Sequence, residues 1–210
     1  MTPLSAQEDV GALWLRTLQR AIGRASHDVK DALNGVSVNL EVIRSRAARP
    51  DVPASAVIQF GEAAAQQLDR LTTLIEAVLA LSRPERSPAD VGLTLRRVTT
   101  VCSASSSSAD AAVRMVDMNS TGSTLTRVRN DVVRLALLAP LLDLVTGAAN
   151  ASRASEVMCT LTSDDDVVRV VVAAADRRAA MPEGVAEVAR AAGVRWTDGE
   201  QDLSLAFPRV

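Results

Sequence analysis

Residues 26–31, SHDVKD, hold the chain's single histidine together with a lysine and two aspartates. A neutral imidazole nitrogen is a good nucleophile near pH 7, including toward phosphorus. Asp28 or Asp31 can hold the ring in one tautomer or accept its proton. Lys30 is a compact cation that can offset the charge of an incoming phosphoryl group. Together these residues predict a phosphoryl acceptor, with His27 as the nucleophile.

The helix that carries His27 must present it to solvent for this chemistry. Successive residues of an α-helix are about 100° apart, which puts His27 about 200° from the apolar residue Val29. The face around His27 is polar, and its members are Arg20, Arg24, Lys30, Asp31 and Asn34. We therefore expect an exposed imidazole, with Arg20, Arg24 and Asn34 as candidate contacts for a partner protein.

Apolar spacing predicts two long helices in the first half of the chain. One seam runs from Leu18 to Ala47 and the other from Val57 to Val78, in steps of three and four residues. Segment 47–53, AARPDVP, separates the two helices. Each helix has one apolar stripe and no further layer to cover it. We therefore expect an antiparallel hairpin that forms a four-helix bundle in a homodimer.

The second half of the chain changes from helical to mixed periodicity. Residues 82–90 predict a linker, because Pro84 and Pro88 stop the helix. The segments that follow are a short helix near 91–104, strands at 112–118 and 123–129, a buried helix from 130, a β-hairpin around 164–166, a helix opened by Pro182, and two strands around 198–199. This order predicts an α+β fold, with one mixed sheet and helices on one face. We expect two domains, 1–86 and 87–210.

Composition argues against several classes of function. Net charge is −2 and the pI about 5.5, so no basic field favours nucleic acid. One histidine and two distant cysteines do not make a zinc site, and we expect Cys102 and Cys159 to be buried, reduced thiols. The sequence has neither an 18-residue apolar run nor a signal-peptide pattern, so we expect a cytoplasmic protein with no membrane association.

Residues 26–46, SHDVKDALNGVSVNLEVIRSR, resemble the H-box of bacterial sensor histidine kinases. In this resemblance His27 falls on the phosphoacceptor and Asp28 on the adjacent acid. The hairpin and the α+β half match that family's dimerisation/phosphotransfer and ATP-binding domains in order and size. Two positions depart from the motif. Asp31 stands where the family has the Asn or Thr of its phosphatase reaction, and Ala32 replaces the usual proline.

The nucleotide-binding motifs of that family are eroded in the second half. Asp143 stands at the position of the N-box asparagine. Asp176 remains from the D-x-G-x-G box, but Arg178 and Ala180 replace its glycines, and a side chain there blocks close backbone approach to a nucleotide. The ATP lid has no counterpart. The resemblance therefore implies a degenerate kinase ATPase-like α/β sandwich that binds neither cofactor nor metal.

An H-box that keeps its histidine, on a chain with eroded nucleotide motifs, resembles the histidine phosphotransferases of phosphorelays, such as the ChpT-type proteins. The implied activity is transfer of phosphoryl groups between aspartates of response-regulator receiver domains through His27, without ATP. The receiver domain would supply Mg²⁺. Two alternatives stay open. One is a pseudokinase scaffold that dimerises and binds a receiver or a kinase without carrying phosphate, and the other is a histidine autokinase with an unusual nucleotide site.

Overall fold

The computed structural model describes residues 6–51, 53–83, 88–103, 112–117, 122–148 and 156–210. Within them the elements are α1 (Ala6–Ala47), α2 (Ser55–Ser82), β1 (Ala89–Asp90), α3 (Val91–Ser103), β2 (Ala112–Asp117), β3 (Leu125–Thr126), α4 (Asn130–Ala148), β4 (Glu156–Ser163), β5 (Val167–Ala174), α5 (Glu183–Ala191), β6 (Arg195–Asp198) and β7 (Asp202–Pro208). The α+β class predicted from the sequence is confirmed.

Helices α1 and α2 form the predicted N-terminal hairpin. Helix α1 continues without a break past His27 and Ala32, because alanine, unlike proline, keeps the backbone N–H and favours the helix. Contacts of Arg46 close the turn between the helices. Its guanidinium donates to the Ala56 carbonyl oxygen at 3.0 Å and lies 4.7 Å from the ring centroid of Phe60.

The second half contains a five-stranded mixed sheet in the order β2-β4-β5-β7-β6. Strands β2 and β4 are parallel, and the other neighbours are antiparallel. Alternate residues of β4 and β5 are buried, as expected for a sheet with one covered face. The register aligns Leu161, Val170 and Leu205 in a buried row across three strands, beneath the helices. The predicted sandwich of one mixed sheet with helices on one face is thus confirmed.

One predicted strand is much shorter than expected. Only Leu125–Thr126 of segment 123–129 forms a strand; it pairs with β1, and Thr126 also bridges Arg209 just past the end of β7. The cause is local, because the chain enters α4 at Asn130. Asp90 secures this small ribbon: its carboxylate accepts hydrogen bonds from the Leu93 amide at 2.9 Å and the Thr124 hydroxyl at 2.6 Å.

The hairpin packs directly on the sandwich. Val10, Ala21 and Ala25 of α1 belong to the same buried cluster as the inner side of α4. So do three residues of α2, namely Leu74, Ala77 and Leu81. The buried guanidinium of Arg134, on α4, donates to the carbonyl oxygens of Leu81 and Arg83 at the end of α2. Residues 84–87 of the predicted linker lie outside the described residues, and the division at 86/87 stays a prediction.

The apolar seams of the hairpin are only partly buried in the single chain. Leu18 and Ala25 are buried, whereas several seam residues further along stay open to solvent. The exposed fractions are 46% for Leu33, 54% for Leu40, 46% for Leu68 and 44% for Ile75. One part of the seam therefore faces the sandwich, and the other part has no covering layer among the described residues.

Candidate functional site

His27 lies near the middle of α1 on its polar face. Its side chain is 78% exposed, as helical geometry predicts for a residue opposite Val29. The neighbouring residues Ala21 and Ala25 hold this part of α1 against the sandwich, since both are buried. The imidazole is thus accessible but stands on a helix that is fixed by packing.

Asp31 is the carboxylate that contacts the ring. The distance between His27 Nδ1 and Asp31 Oδ2 is 3.1 Å, across one turn of the helix. A carboxylate oxygen accepts hydrogen bonds, so Nδ1 carries the hydrogen and Nε2 of the neutral ring keeps its lone pair. Sequence alone left Asp28 and Asp31 as alternatives for this role. In the structure Asp28 is half-buried and lines a groove beside the histidine.

The other predicted site residues are distributed along the same helix. Lys30 and Asn34 are exposed on α1. Arg20 is also exposed, but its guanidinium bonds Asp143 Oδ1 of α4 at 2.6 Å, a contact that no sequence pattern indicated. The pair joins residues 123 positions apart. It ties the helix that carries His27 to the sandwich.

The prediction that Arg24 is exposed is wrong. Arg24 is half-buried, because α3 packs beside this part of the hairpin. Burial raises the pKa of the Cys102 thiol to about 12, with Cys159 adding to the increase and the nearby Arg24 opposing it. The guanidinium therefore lies near a residue of α3. Its role as a partner contact stays a prediction.

A groove of about 730 Å³ opens beside His27 between three helices. Its lining residues are Asp28, Asp31 and Ala32 of α1, Gln67, Asp69, Arg70, Leu71, Thr73 and Leu74 of α2, and Thr99, Thr100 and Ser103 of α3. Sequence reasoning did not find the contributions of α2 and α3. No short motif could have indicated them, since the three helices meet only through tertiary packing.

A second, smaller cavity lies where the resemblance would place a nucleotide. Its volume is about 210 Å³, and Asp143, Arg177, Arg178 and Ala180 are among its lining residues. This is below the roughly 300–1,000 Å³ of ordinary ligand pockets. The carboxylates at the two motif positions are already engaged. Asp143 pairs with Arg20 of α1, and Asp176 accepts two hydrogen bonds from Arg177, at 2.9 and 3.2 Å.

These side chains do not fit a magnesium–nucleotide complex. Arg177 also donates to the Leu144 carbonyl oxygen at 2.9 Å and is only 16% exposed, so it is held inside the cavity. Sequence reasoning singled out Arg178 as a lost glycine and missed Arg177. The signal was present in the doubled arginine of AADRRAA, segment 173–179.

Other chemical groups of the described chain are structural. Cys102 and Cys159 are free and buried, as predicted, and burial raises the pKa of Cys159 as well to about 12. In the part of the chain that the structure describes, no group of three or more His, Cys, Asp and Glu side chains is arranged to hold a metal ion. The described helices include none that is both long and apolar enough to cross a membrane.

No protein-family model and no curated protein matches this chain. Among solved structures it is similar to an Erythrobacter litoralis blue-light activated histidine kinase, with 15% identity, 88% of this chain and 59% of that chain covered, and a TM-score of 0.43. It is also similar to a bacterial phosphotransferase, with 16% identity, 98% of each chain covered and a TM-score of 0.40.

A third similar structure is that of histidine kinase ThkA in complex with the response regulator protein TrrA. It has 15% identity, coverage of 93% of this chain and 63% of that chain, and a TM-score of 0.41. The present chain thus spans less than two thirds of the blue-light kinase and of ThkA. Similarities at this level carry no argument about function, which rests on the geometry of this chain.

Proposed function

We propose that this chain is a histidine phosphotransferase that moves phosphoryl groups between receiver-domain aspartates through His27, without using ATP. One observation carries the proposal: the imidazole is exposed while its Nδ1 lies 3.1 Å from Asp31. This arrangement orients the ring and leaves Nε2 as a nucleophile that a partner protein can reach.

The transfer step follows from this geometry. The Nε2 lone pair attacks the phosphorus of an aspartyl phosphate, an N–P bond forms, and the P–O bond to the donor carboxylate breaks. The electron pair of the broken bond returns to that carboxylate. Positive charge that develops on the ring is stabilised by Asp31 through Nδ1–H. Lys30, one turn from His27, offsets the negative charge of the incoming phosphoryl group. Transfer to a second receiver aspartate reverses these changes.

The source of the phosphoryl group in this proposal is another protein rather than ATP. The cavity of about 210 Å³ and the engaged carboxylates Asp143 and Asp176 support this reading. Arg178 and Ala180 line the same cavity at the positions of the former glycines. Mg²⁺ for the reaction would be bound by the receiver domain, where it neutralises phosphoryl oxygens during transfer.

A homodimer forms part of the proposal. Leu33 and Leu40 of α1 and Leu68 and Ile75 of α2 expose about half of their side-chain surface along the seams. A second hairpin would cover this stripe and complete a four-helix bundle. Asn34, exposed on the polar face of α1, would then stay available to a docked receiver domain.

The test is phosphoryl transfer from a phosphorylated receiver domain to the full chain. We expect acid-labile, base-stable phosphate on the wild type and none on His27→Ala, with unchanged circular dichroism for both. A wild type that binds the receiver but never carries phosphate would instead establish the scaffold alternative. Labelling from magnesium and γ-labelled ATP without any donor receiver would establish the autokinase alternative.

A further inference from the structure

The groove beside His27 has a chemical character that the phosphoryl step does not explain. It begins at Asp28 and Asp31, which flank the histidine in sequence, and extends to Asp69 of α2 and Thr100 of α3. Its volume of about 730 Å³ lies within the range of pockets that bind ligands or inserted segments. The wall formed by α3 belongs to the sandwich, and the walls formed by α1 and α2 belong to the hairpin.

The hydroxyl groups of the groove offer acceptors rather than donors. Each hydrogen is used on a backbone carbonyl oxygen, which can only accept. The pairs are Thr73 to Asp69 at 2.9 Å, Thr99 to Arg96 at 2.9 Å, Thr100 to Arg96 at 2.9 Å and Ser103 to Val113 at 3.0 Å. The lone pairs of the Thr73, Thr99 and Thr100 oxygens remain able to accept hydrogen bonds from an incoming donor.

The charges of the groove point the same way. Asp31 and Asp69 bring negative charge to its lining, Arg70 brings one positive charge, and Asp28 is a further lining carboxylate with an interaction of its own. The side-chain oxygen of Gln67, another lining residue, is buried and accepts no hydrogen bond from any described residue. An acceptor-rich cavity with net negative charge is complementary to a lysine or arginine side chain, which brings only donors and positive charge.

We infer that this groove receives a basic segment of the receiver domain that exchanges phosphate with His27. The inference rests on the proposed function and adds to it the chemistry of partner recognition. Asp69 would attract the basic side chain, and the threonines of α3 would accept its hydrogen bonds. The sandwich thus contributes to the choice of partner without touching the reacting atoms.

The experiment uses the full chain and a panel of purified receiver domains from the host. The receiver that exchanges phosphate fastest is then titrated calorimetrically in its unphosphorylated form. If none exchanges phosphate, the receiver that binds most tightly is titrated instead. We expect Asp69→Lys to weaken binding by at least about tenfold, because it places like charges across the interface. Thr100→Arg should weaken binding similarly from the α3 side. Asp165→Lys makes the same charge change in the distant β4–β5 turn and should bind as the wild type does.

Salt dependence provides a second measurement. The difference between Asp69→Lys and the wild type should shrink at about 1 M salt, where the Debye length is about 3 Å. Equal affinity of Asp69→Lys and wild type, or equal losses for Asp69→Lys and Asp165→Lys, would overturn the inference. So would a wild type that binds no receiver domain of the panel.

The proposed function and this inference can fail separately. Weakened binding by Asp69→Lys, without acid-labile phosphate on the wild type, would refute phosphoryl transfer and keep the groove as the docking site. Phosphate on His27, together with groove variants that bind the receiver as tightly as the wild type, would support phosphoryl transfer and refute the groove as the docking site. Circular dichroism of each variant excludes loss of folding as the cause.

Discussion

Leu33→Asp is expected to weaken dimerisation of the hairpin strongly. Leu33, Leu40, Leu68 and Ile75 are 44–54% exposed. Complete burial of such a side chain is worth about 1.5–3 kcal/mol, so roughly 1 kcal/mol per residue is still to be gained on association. Four residues in two copies give about 8 kcal/mol, which is within the range of about 4–15 kcal/mol that association costs. The free energy gained by covering the stripe is therefore comparable to the cost of association, so a change at one residue should alter the dimer Kd measurably.

The variant loses roughly 2 kcal/mol, because Leu33 counts once in each copy, and this corresponds to about a 30-fold higher dimer Kd. Two carboxylates placed in the seam weaken association further. Sedimentation equilibrium measures the Kd directly. Val38→Asp is the matched control, since Val38 is 63% exposed on the same helix but lies off the seam. A monomeric wild type, or equal Kd values for the two variants, would refute the assignment of the stripe as a dimer interface.

Three further outcomes are expected. Asp31→Ala should slow labelling of His27 by phosphoramidate by roughly 10²-fold, which is the low end of the effect of a positioned proton acceptor. Asp28→Ala is the control and should slow labelling less. Equal effects of the two substitutions would contradict the assigned role of Asp31. Burial raises the pKa of both cysteine thiols to about 12, so the unfolded chain loses these protons first. The unfolding free energy should then fall between pH 9 and 12, by up to about 1.4 kcal/mol per pH unit for each thiol, and urea titrations that show no such fall would contradict their burial. Arg134→Ala removes the Nη1 group that donates to both carbonyl oxygens at the end of α2 and should lower the unfolding free energy by about 2–4 kcal/mol. Recovery of full stability in Arg134→Lys would show that a single nitrogen donor is sufficient there.

The geometry at His27 was largely predictable because it is local. Helical geometry relates His27, Val29 and Asp31 within a single turn, so exposure of the ring and a carboxylate beside it follow from their spacing. Sequence alone left Asp28 and Asp31 as alternatives, and the structure shows the contact to Asp31, one helical turn away at i+4.

Contacts between distant segments lie beyond sequence reasoning for the same reason. Arg20 and Asp143 are 123 positions apart and meet only because α1 packs on α4. Arg24 has the helical position of an exposed residue, yet α3 covers it. The segment 123–129 has the composition of a strand, but its short partner β1 and the start of α4 limit pairing to two residues.

The sequence by itself determined most of the helices and strands and the exposed position of His27 on α1. Each of these depends on residue type or on periodicity within one element. The tertiary structure alone decided that Arg20 of α1 pairs with Asp143 of α4, that Arg177 donates to the Leu144 carbonyl oxygen, and that three helices enclose an acceptor-rich groove beside His27. Those features depend on residues from separate segments, and only tertiary packing brings them within contact distance.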